Sequence, residues 1–282
     1  MQPRISIIMP IFNRADTVER ALLSIKAQTY KNIELIVLDA GSTDGTLDVL
    51  KRYESEFAYF RSQPDKGAAD ATNEGLKRVT GDFVGLLMAD DTYEPGIIEA
   101  AVHAYQANPK LDMISFGARI VMMDKGEIKT LTDLNDPSRM KLNFWNITIK
   151  ENPSICSRFI KRSFYERVGP FNAVDDSGVQ ILSNDRDFML RAVLARVNDT
   201  YLNQVGYNYF AHAGSYSFNS ENKSYFRHCQ EHVLLAKKFM FNKNLNIGQR
   251  CVITYWYFRE WAKLVCFKLF GRSIKSLIAR KA

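Results

Sequence analysis

Three aspartates stand where chemistry is easiest to place. Asp39 closes an apolar run over residues 33–38, and Asp90-Asp91 close another over residues 83–88. A carboxylate just beyond a strand can accept a hydrogen bond from a base or a ribose. An adjacent pair can hold a hard divalent cation, which prefers oxygen ligands and can bridge phosphates. Aspartates also form turns and cap helices without any ligand. For Asp39 alone the two readings are evenly matched, but two acidic sites on neighbouring elements favour the functional one. Asp44 lies in Ser42-Thr43-Asp44-Gly45 and reads as a helix cap. A separate signal is His228-Cys229-Gln230-Glu231-His232, the H-x-x-E-H pattern of inverted zinc peptidases. Its histidines are four apart, so they share a helical face and could share a metal, but short patterns of this kind arise easily by chance.

The elements that must carry these acids alternate. Residues 4–9 form a β-rich run that Pro10 should stop, and Asp16 with Glu19 reads as a capping box for a helix bearing Val18, Ala21, Leu22 and Ile25. The spacing predicts strands over 33–38, 59–62, 83–88 and 113–120, with helices near 47–53, 69–79 and 96–107 between them. Such a rhythm implies an α/β fold with a mainly parallel sheet and right-handed crossovers. In such sheets ligands bind beyond the carboxyl ends of the strands, where all three aspartates fall. Periodicity weakens over 121–152, where Lys125-Gly126 suggests a hairpin tip. It returns over 159–168, in a helix over 185–197 and in a strand over 201–210. Asn152-Pro153-Ser154 and His212-Ala213-Gly214-Ser215 read as polar loops that could touch sugars or simply turn the chain.

The 282 residues can bury a full core, and the +7 net charge is local. Eight of the basic side chains and only one acid, Glu260, lie in residues 250–282, so residues 1–249 are neutral. This tail also holds Tyr255, Trp256, Phe258, Trp261, Phe267 and Phe270. Aromatics among cations suit a helix lying on an anionic bilayer; the alternative is that the aromatics pack on the rest of the protein and only the charges are solvated. We favour the bilayer because one segment carries the whole charge excess. The longest apolar stretch is interrupted by Arg259, Glu260, Lys263 and Lys268, too polar for a spanning helix. Four cysteines without paired spacing and no leader-like N-terminus suggest a reduced, cytoplasmic setting, peripheral on the inner face of the cell membrane. No nucleic-acid reading motif is present.

Five segments in order resemble glycosyltransferase family 2, of the GT-A fold. They are Ile7-Ile8-Met9-Pro10-Ile11-Phe12-Asn13-Arg14; Leu38-Asp39-Ala40-Gly41-Ser42-Thr43-Asp44-Gly45-Thr46; Pro64-Asp65-Lys66-Gly67 with Asn73-Glu74-Gly75; Thr80-Gly81-Asp82 through Ala89-Asp90-Asp91; and Asn184-Asp185-Arg186-Asp187-Phe188-Met189-Leu190-Arg191. The resemblance implies a catalytic domain over 1–214, with a nucleotide-sugar half (1–120) and an acceptor half (121–214), and a basic, aromatic helical extension over 215–282. It implies inverting transfer from a nucleoside diphosphate sugar, a UDP-sugar foremost, to a glycan or lipid-linked acceptor, as in bacterial polysaccharide assembly. Pro10, Phe12, Asn13, Asp39, Asp65, Lys66 and Asn73 would hold the donor. Asp91, with Asp90 beside it, would bind Mg²⁺ or Mn²⁺ on the diphosphate. Asp185 would be the general base, unless it only caps the helix of Phe188, Leu190 and Leu194. Two positions depart from the pattern: Ala40 stands where many members have a second acid, and Asn184 where an acid usually precedes the catalytic aspartate. A nucleotidyltransferase of the same fold would need a glycine-rich basic triphosphate loop, and Asn13-Arg14-Ala15-Asp16 is not one. A non-catalytic nucleotide-binding module would have little reason to keep both Asp91 and Asp185.

Overall fold

A computed structural model describes residues 2–150, 155–212 and 222–270. The chain runs β1 (Ile5–Ile11), α1 (Val18–Lys26), β2 (Ile33–Asp39), α2 (Thr46–Tyr53), β3 (Tyr59–Ser62), α3 (Ala68–Leu76), β4 (Phe83–Leu86), β5 (Thr92–Tyr93) and α4 (Ile97–Ala107). There follow β6 (Met113–Asp124), β7 (Glu127–Leu134), α5 (Pro137–Met140), α6 (Phe144–Thr148), β8 (Arg158–Lys161), α7 (Arg162–Val168), α8 (Asn184–Leu194), β9 (Asp199–Phe210), α9 (Asn222–Met240) and α10 (Ile247–Phe270). The strands form one sheet in the order β3-β2-β1-β4-β8-β6-β9-β5, with β7 paired to β6. β3, β2, β1 and β4 are mutually parallel; β8 runs antiparallel between β4 and β6; β9 returns parallel to β6.

β1, β2 and β4 are largely apolar because helices cover both faces, whereas the edge strand β3 is only half-buried. All seven residues of β1 are buried, as are the last six of β2. Gly75 lets α3 lie close to the sheet, since a Cβ there would come within 2.7 Å of Ile8 Cγ2. The Lys125-Gly126 tip has φ of 51° and 86°, the paired left-handed conformation of a tight hairpin between β6 and β7.

Several boundaries move from where the sequence put them. Pro10 does not stop β1. β4 leaves β1 after Ile8, so the residue without an N–H falls where only β2 still pairs. Asp16 and Glu19 form no capping box: α1 begins at Val18, and Glu19 instead accepts a hydrogen bond from Tyr53 Oη at 2.7 Å. Tertiary reach has outcompeted the local cap. Asp44 stands one residue before the N-cap Gly45 of α2 and accepts from the amide of Thr46, the helix's first residue, at 3.0 Å and from that of Ala15 at 3.1 Å. Residues 159–168 resolve into a strand and a helix, β8 and α7. The extension contributes α9 and α10, which pack on each other, and α10 also packs on α6. Trp256 and Ile253 are fully buried there, and Arg259 donates to the carbonyls of Ile149 and Thr148 at 2.9 and 3.2 Å. One face of the tail therefore packs on the rest of the protein. The opposite face leaves Tyr255, Phe258, Trp261 and Leu269 exposed. Residues 271–282, with four of the tail's cations, lie outside the described residues.

Candidate active site

The carboxyl ends of β1, β2 and β4 converge on one edge of the sheet, because parallel strands joined by helices all point the same way. There the three strand-end aspartates prove unequal. Asp39 is fully buried. Its Oδ2 accepts from the amides of Gly41 and Ser42, both at 3.0 Å, and from Ser62 Oγ at 2.6 Å, while Oδ1 accepts from Ser42 Oγ. Three donors meet Oδ2 and one meets Oδ1, so the carboxylate ties the turn after β2 to Ser62 of β3. Asn13 completes the same turn. With a left-handed φ of 50°, it donates its amide to Ser42 Oγ and accepts from the amide of Thr43.

Asp91 is 4% exposed and likewise meets protein donors: Phe210 N donates to Oδ1 at 2.9 Å and Tyr207 Oη to Oδ2 at 2.8 Å. Burial, then the neighbouring Asp90 charge, pushes its carboxyl up to about 8, against the pull of those two donors. Asp90 is the acid that reaches the open side. Its side chain keeps 18% exposure, and Oδ2 lies 3.2 Å from Arg14 Nε and 3.0 Å from His212 Nε2. Arg20 donates to its carbonyl at 2.8 Å and lies 3.6 Å from the Phe210 ring centre. The sequence reading placed the metal on Asp91 with Asp90 beside it. In the structure each Asp91 oxygen accepts one protein donor, and Asp90 is the more exposed of the pair.

The remaining donor-side residues divide in the same way. Pro10 is buried in β1, and Phe12 at the strand end is 56% exposed. Asp65 accepts from the amide of Gly67 at 2.8 Å and sits 3.5 Å from Arg61; burial raises its pKa. Lys66 is exposed, its amide bound to Asp70. Asn73 is tied into the fold. Its Nδ2 donates to Phe171 O and its Oδ1 accepts from Phe171 N, both at 2.8 Å, so the side chain ties α3 to the chain beyond α7.

Asp185, in the first turn of α8, opens onto a cleft of about 200 Å³. Ala68, Ala69 and Thr72 of α3 form one wall, Leu86 at the end of β4 and Met88 just beyond it another, and Ile155, Cys156, Phe171, Asn184 and Tyr209 also line it. Burial raises the Asp185 carboxyl above its ordinary value; the Arg186 charge and the Arg186 amide, which donates to Oδ1 at 2.7 Å, oppose this only in part. A carboxylate withdrawn from water with few donors is a ready proton acceptor.

The match to the family model described as "Glycosyl transferase family 2" spans residues 6–169, more than half of the chain. This chain belongs to glycosyltransferase family 2. Among relatives of the family, an uncharacterized glycosyltransferase of Rickettsia felis is 32% identical over 178 residues, which is 60% of this chain and 29% of that protein. The chain thus spans under a third of that relative's length. The S. aureus TarS fragment crystallised with UDP-GlcNAc superposes with a TM-score of 0.68 at 17% identity, covering 91% of this chain and 72% of that one. The mannosyltransferase PcManGT of Pyrobaculum calidifontis, in complex with GDP-Man and Mn²⁺, gives 0.64 at 18% identity, covering all of this chain and 79% of that one. Both likenesses place the chain in the GT-A fold common to family 2 transferases.

Residue spacing did not single out Arg14, Arg20, Tyr207, Tyr209 or Phe210. Their signals are slight: an i, i+2 tyrosine pair on β9, and Arg14 at the end of the first family-like segment; Arg14 and Arg20 meet Asp90 only across 76 and 70 residues. His212 lay in a segment read only as a polar loop, and Asn152-Pro153-Ser154 and residues 213–215 lie outside the described residues. The H-x-x-E-H pattern falls on α9, where its residues have other partners. The His232 ring stands 5.7 Å from that of Trp256 and its Nδ1 lies 3.6 Å from Glu260, while Glu231 faces the turn before Asp185. Among the described residues no group of three His, Cys, Asp or Glu is gathered as a metal cage.

Proposed function

We propose that this chain transfers a sugar, with inversion, from a nucleoside diphosphate sugar to a hydroxyl of a glycan or lipid-linked acceptor. The observation that carries the reading is the cleft in which Asp185 faces both α3 and the end of β4, the strand that leads to Asp90. Asp185 would take the acceptor hydroxyl's proton as that oxygen bonds to the anomeric carbon and the bond to the diphosphate breaks. Phe12 and Asn13 would border the nucleoside, within a wall that Asp39 keeps rigid. Asp65 and Lys66 would close the other side. Asp90 offers a carboxylate oxygen that suits Mg²⁺ or Mn²⁺, and the His212 imidazole nitrogen beside it would favour Mn²⁺ of the two. Such ions commonly take one or two carboxylates and complete their shell with substrate phosphates. Asp91 would hold Asp90 in place from behind. The bound cation would supply Lewis-acid stabilisation of the departing diphosphate. PcManGT, with GDP-Man and Mn²⁺, supports the cation, and TarS, with UDP-GlcNAc, supports a UDP-sugar as the first donor to test.

Among the described residues no helix is long and apolar enough to cross a membrane. The exposed face of Tyr255, Phe258, Trp261 and Leu269, in a segment rich in cations, supports peripheral docking on an anionic bilayer, where a lipid-linked acceptor would reside. The test is a screen of UDP-, GDP- and dTDP-sugars for binding with and without Mn²⁺, on wild type and Asp90→Ala. Metal-dependent binding that the variant loses is expected. Wild-type protein that binds no sugar nucleotide in a metal-dependent way would sink the reading.

A further inference from the structure

The turn that delivers Asp185 is not held by its own sequence. Ser183 stands at the N-cap of α8 yet makes no side-chain cap bond, and the Asn184 side-chain Nδ2 donates backwards to Ile181 O at 2.6 Å. The exposed donors of this turn are taken up from 48 and 49 residues away. Oε2 of Glu231 on α9 accepts from Leu182 N at 2.8 Å, Ser183 N at 2.8 Å and Ser183 Oγ at 3.0 Å. Arg227, one turn earlier on α9, lies 3.2 Å from the other Glu231 oxygen and donates to the carbonyl of Gln180. A charged acceptor serving three donors, itself oriented by a guanidinium, is a stiff clamp, because each bond is charge-assisted and the side chain is largely withdrawn from water.

We infer that Glu231 is a positioning residue, through which α9 of the C-terminal extension holds the 182–183 turn and so aims Asp185 into the cleft. This rests on Asp185 being the base of the transfer. It also gives the H-x-x-E-H segment a role without zinc: its glutamate serves the turn, and its second histidine packs against α10. A general base must lie within hydrogen-bond reach of the hydroxyl it deprotonates, and a displacement of about 1 Å can cost about 100-fold in rate while leaving the donor's own contacts untouched.

The test uses the full chain and the sugar nucleotide found to bind, reading nucleoside diphosphate release and donor Kd in parallel. Glu231→Ala should lower turnover about 100-fold, and Glu231→Gln, which keeps one oxygen acceptor for the backbone, about 10-fold, with Kd within about twofold of wild type in both. In hydrogen exchange, the Leu182 and Ser183 amides should lose protection in Glu231→Ala while residues 226–240 keep theirs. The inference is overturned by wild-type turnover in Glu231→Ala. It is equally overturned by a Kd that rises in step with the turnover loss, by loss of protection along the whole of α9, or by Leu182 and Ser183 amides that exchange as fast in wild type as in the variant. The last two need no donor. Asp185→Asn separates the two levels: undiminished turnover in that variant refutes the base itself, whereas its loss beside a fully active Glu231→Ala refutes only the positioning.

Discussion

Glu34 and Asp185 are both carboxylates withdrawn from water, at opposite ends of the molecule. Glu34 lies near the amino ends of the strands, where it accepts from Ser6 Oγ, from the amide and hydroxyl of Thr80 at 2.6 and 2.7 Å, and from the amide of Gly81 at 3.0 Å, with Arg4 at 3.5 Å. Burial works against its charge, yet these donors outweigh it and hold the carboxyl below its ordinary value. Asp185, at the carboxyl ends, has few donors, and burial wins. Burial therefore does not decide what a carboxylate is for; the supply of donors does. A saturated acid fixes three strands in register, and a starved one stays ready for a proton. Asp39 belongs by position with Asp185 but by bonding with Glu34, since four donors meet its carboxylate.

The largest effect that would sharpen this contrast is on activity. Asp185→Asn should cut turnover about 1,000-fold with donor affinity unchanged, as expected for loss of a general base. The same variant should melt no lower than wild type, because a charge short of donors is removed. A clear drop in melting temperature would put Asp185 in the structural class with Glu34. Glu34→Ala should do the reverse. It leaves the Ser6 hydroxyl and the amides of Thr80 and Gly81 buried without their acceptor, at a cost of about 3 kcal/mol in urea unfolding, with donor Kd of the folded fraction unchanged.

Acid should loosen the extension before it loosens the sheet. Burial, and then the Arg186 charge, hold His232 down at about 4, below its ordinary 6.5. Glu260 is held at about 2 despite burial, by His232 and Lys263. Both folded values lie below the unfolded ones. Each group's stabilisation is therefore complete above its unfolded value and lost on acidification, for His232 between about 6.5 and 4 and for Glu260 between about 4.5 and 2. Hydrogen exchange of α9 and α10 followed from pH 7 to pH 4 checks this; protection that is flat over that range would contradict it. The smallest effect concerns Asn73. Asn73→Ala should cost about 1–2 kcal/mol by stranding both backbone groups of Phe171, and leave donor Kd within about twofold. A tenfold weaker donor would put Asn73 on the binding side.

Much of the parallel part of the sheet was legible because its signals are local. Unbroken apolar runs such as 33–38 mark strands covered on both faces, and acids at their ends fall on the ligand edge of any parallel sheet. The Lys125-Gly126 tip needs only two left-handed residues in a row. The features that were not legible depended on distant partners. Glu19 left its cap for Tyr53, Asn73 turned to Phe171, and Pro10 was tolerated because β4 departs at Ile8.

Residue order by itself determined the α/β class, the family resemblance and the places where Asp39, Asp90, Asp91 and Asp185 would stand, because strand periodicity and short motifs are properties of neighbouring residues. Only the tertiary structure decided which donors meet each of those acids. Tyr207 and Phe210 lie more than 100 residues beyond the Asp91 they satisfy, and Glu231 lies 48 beyond the Ser183 it holds. A hydrogen bond is set by distance and angle in space, and no local pattern encodes which donor the fold will bring to a given carboxylate.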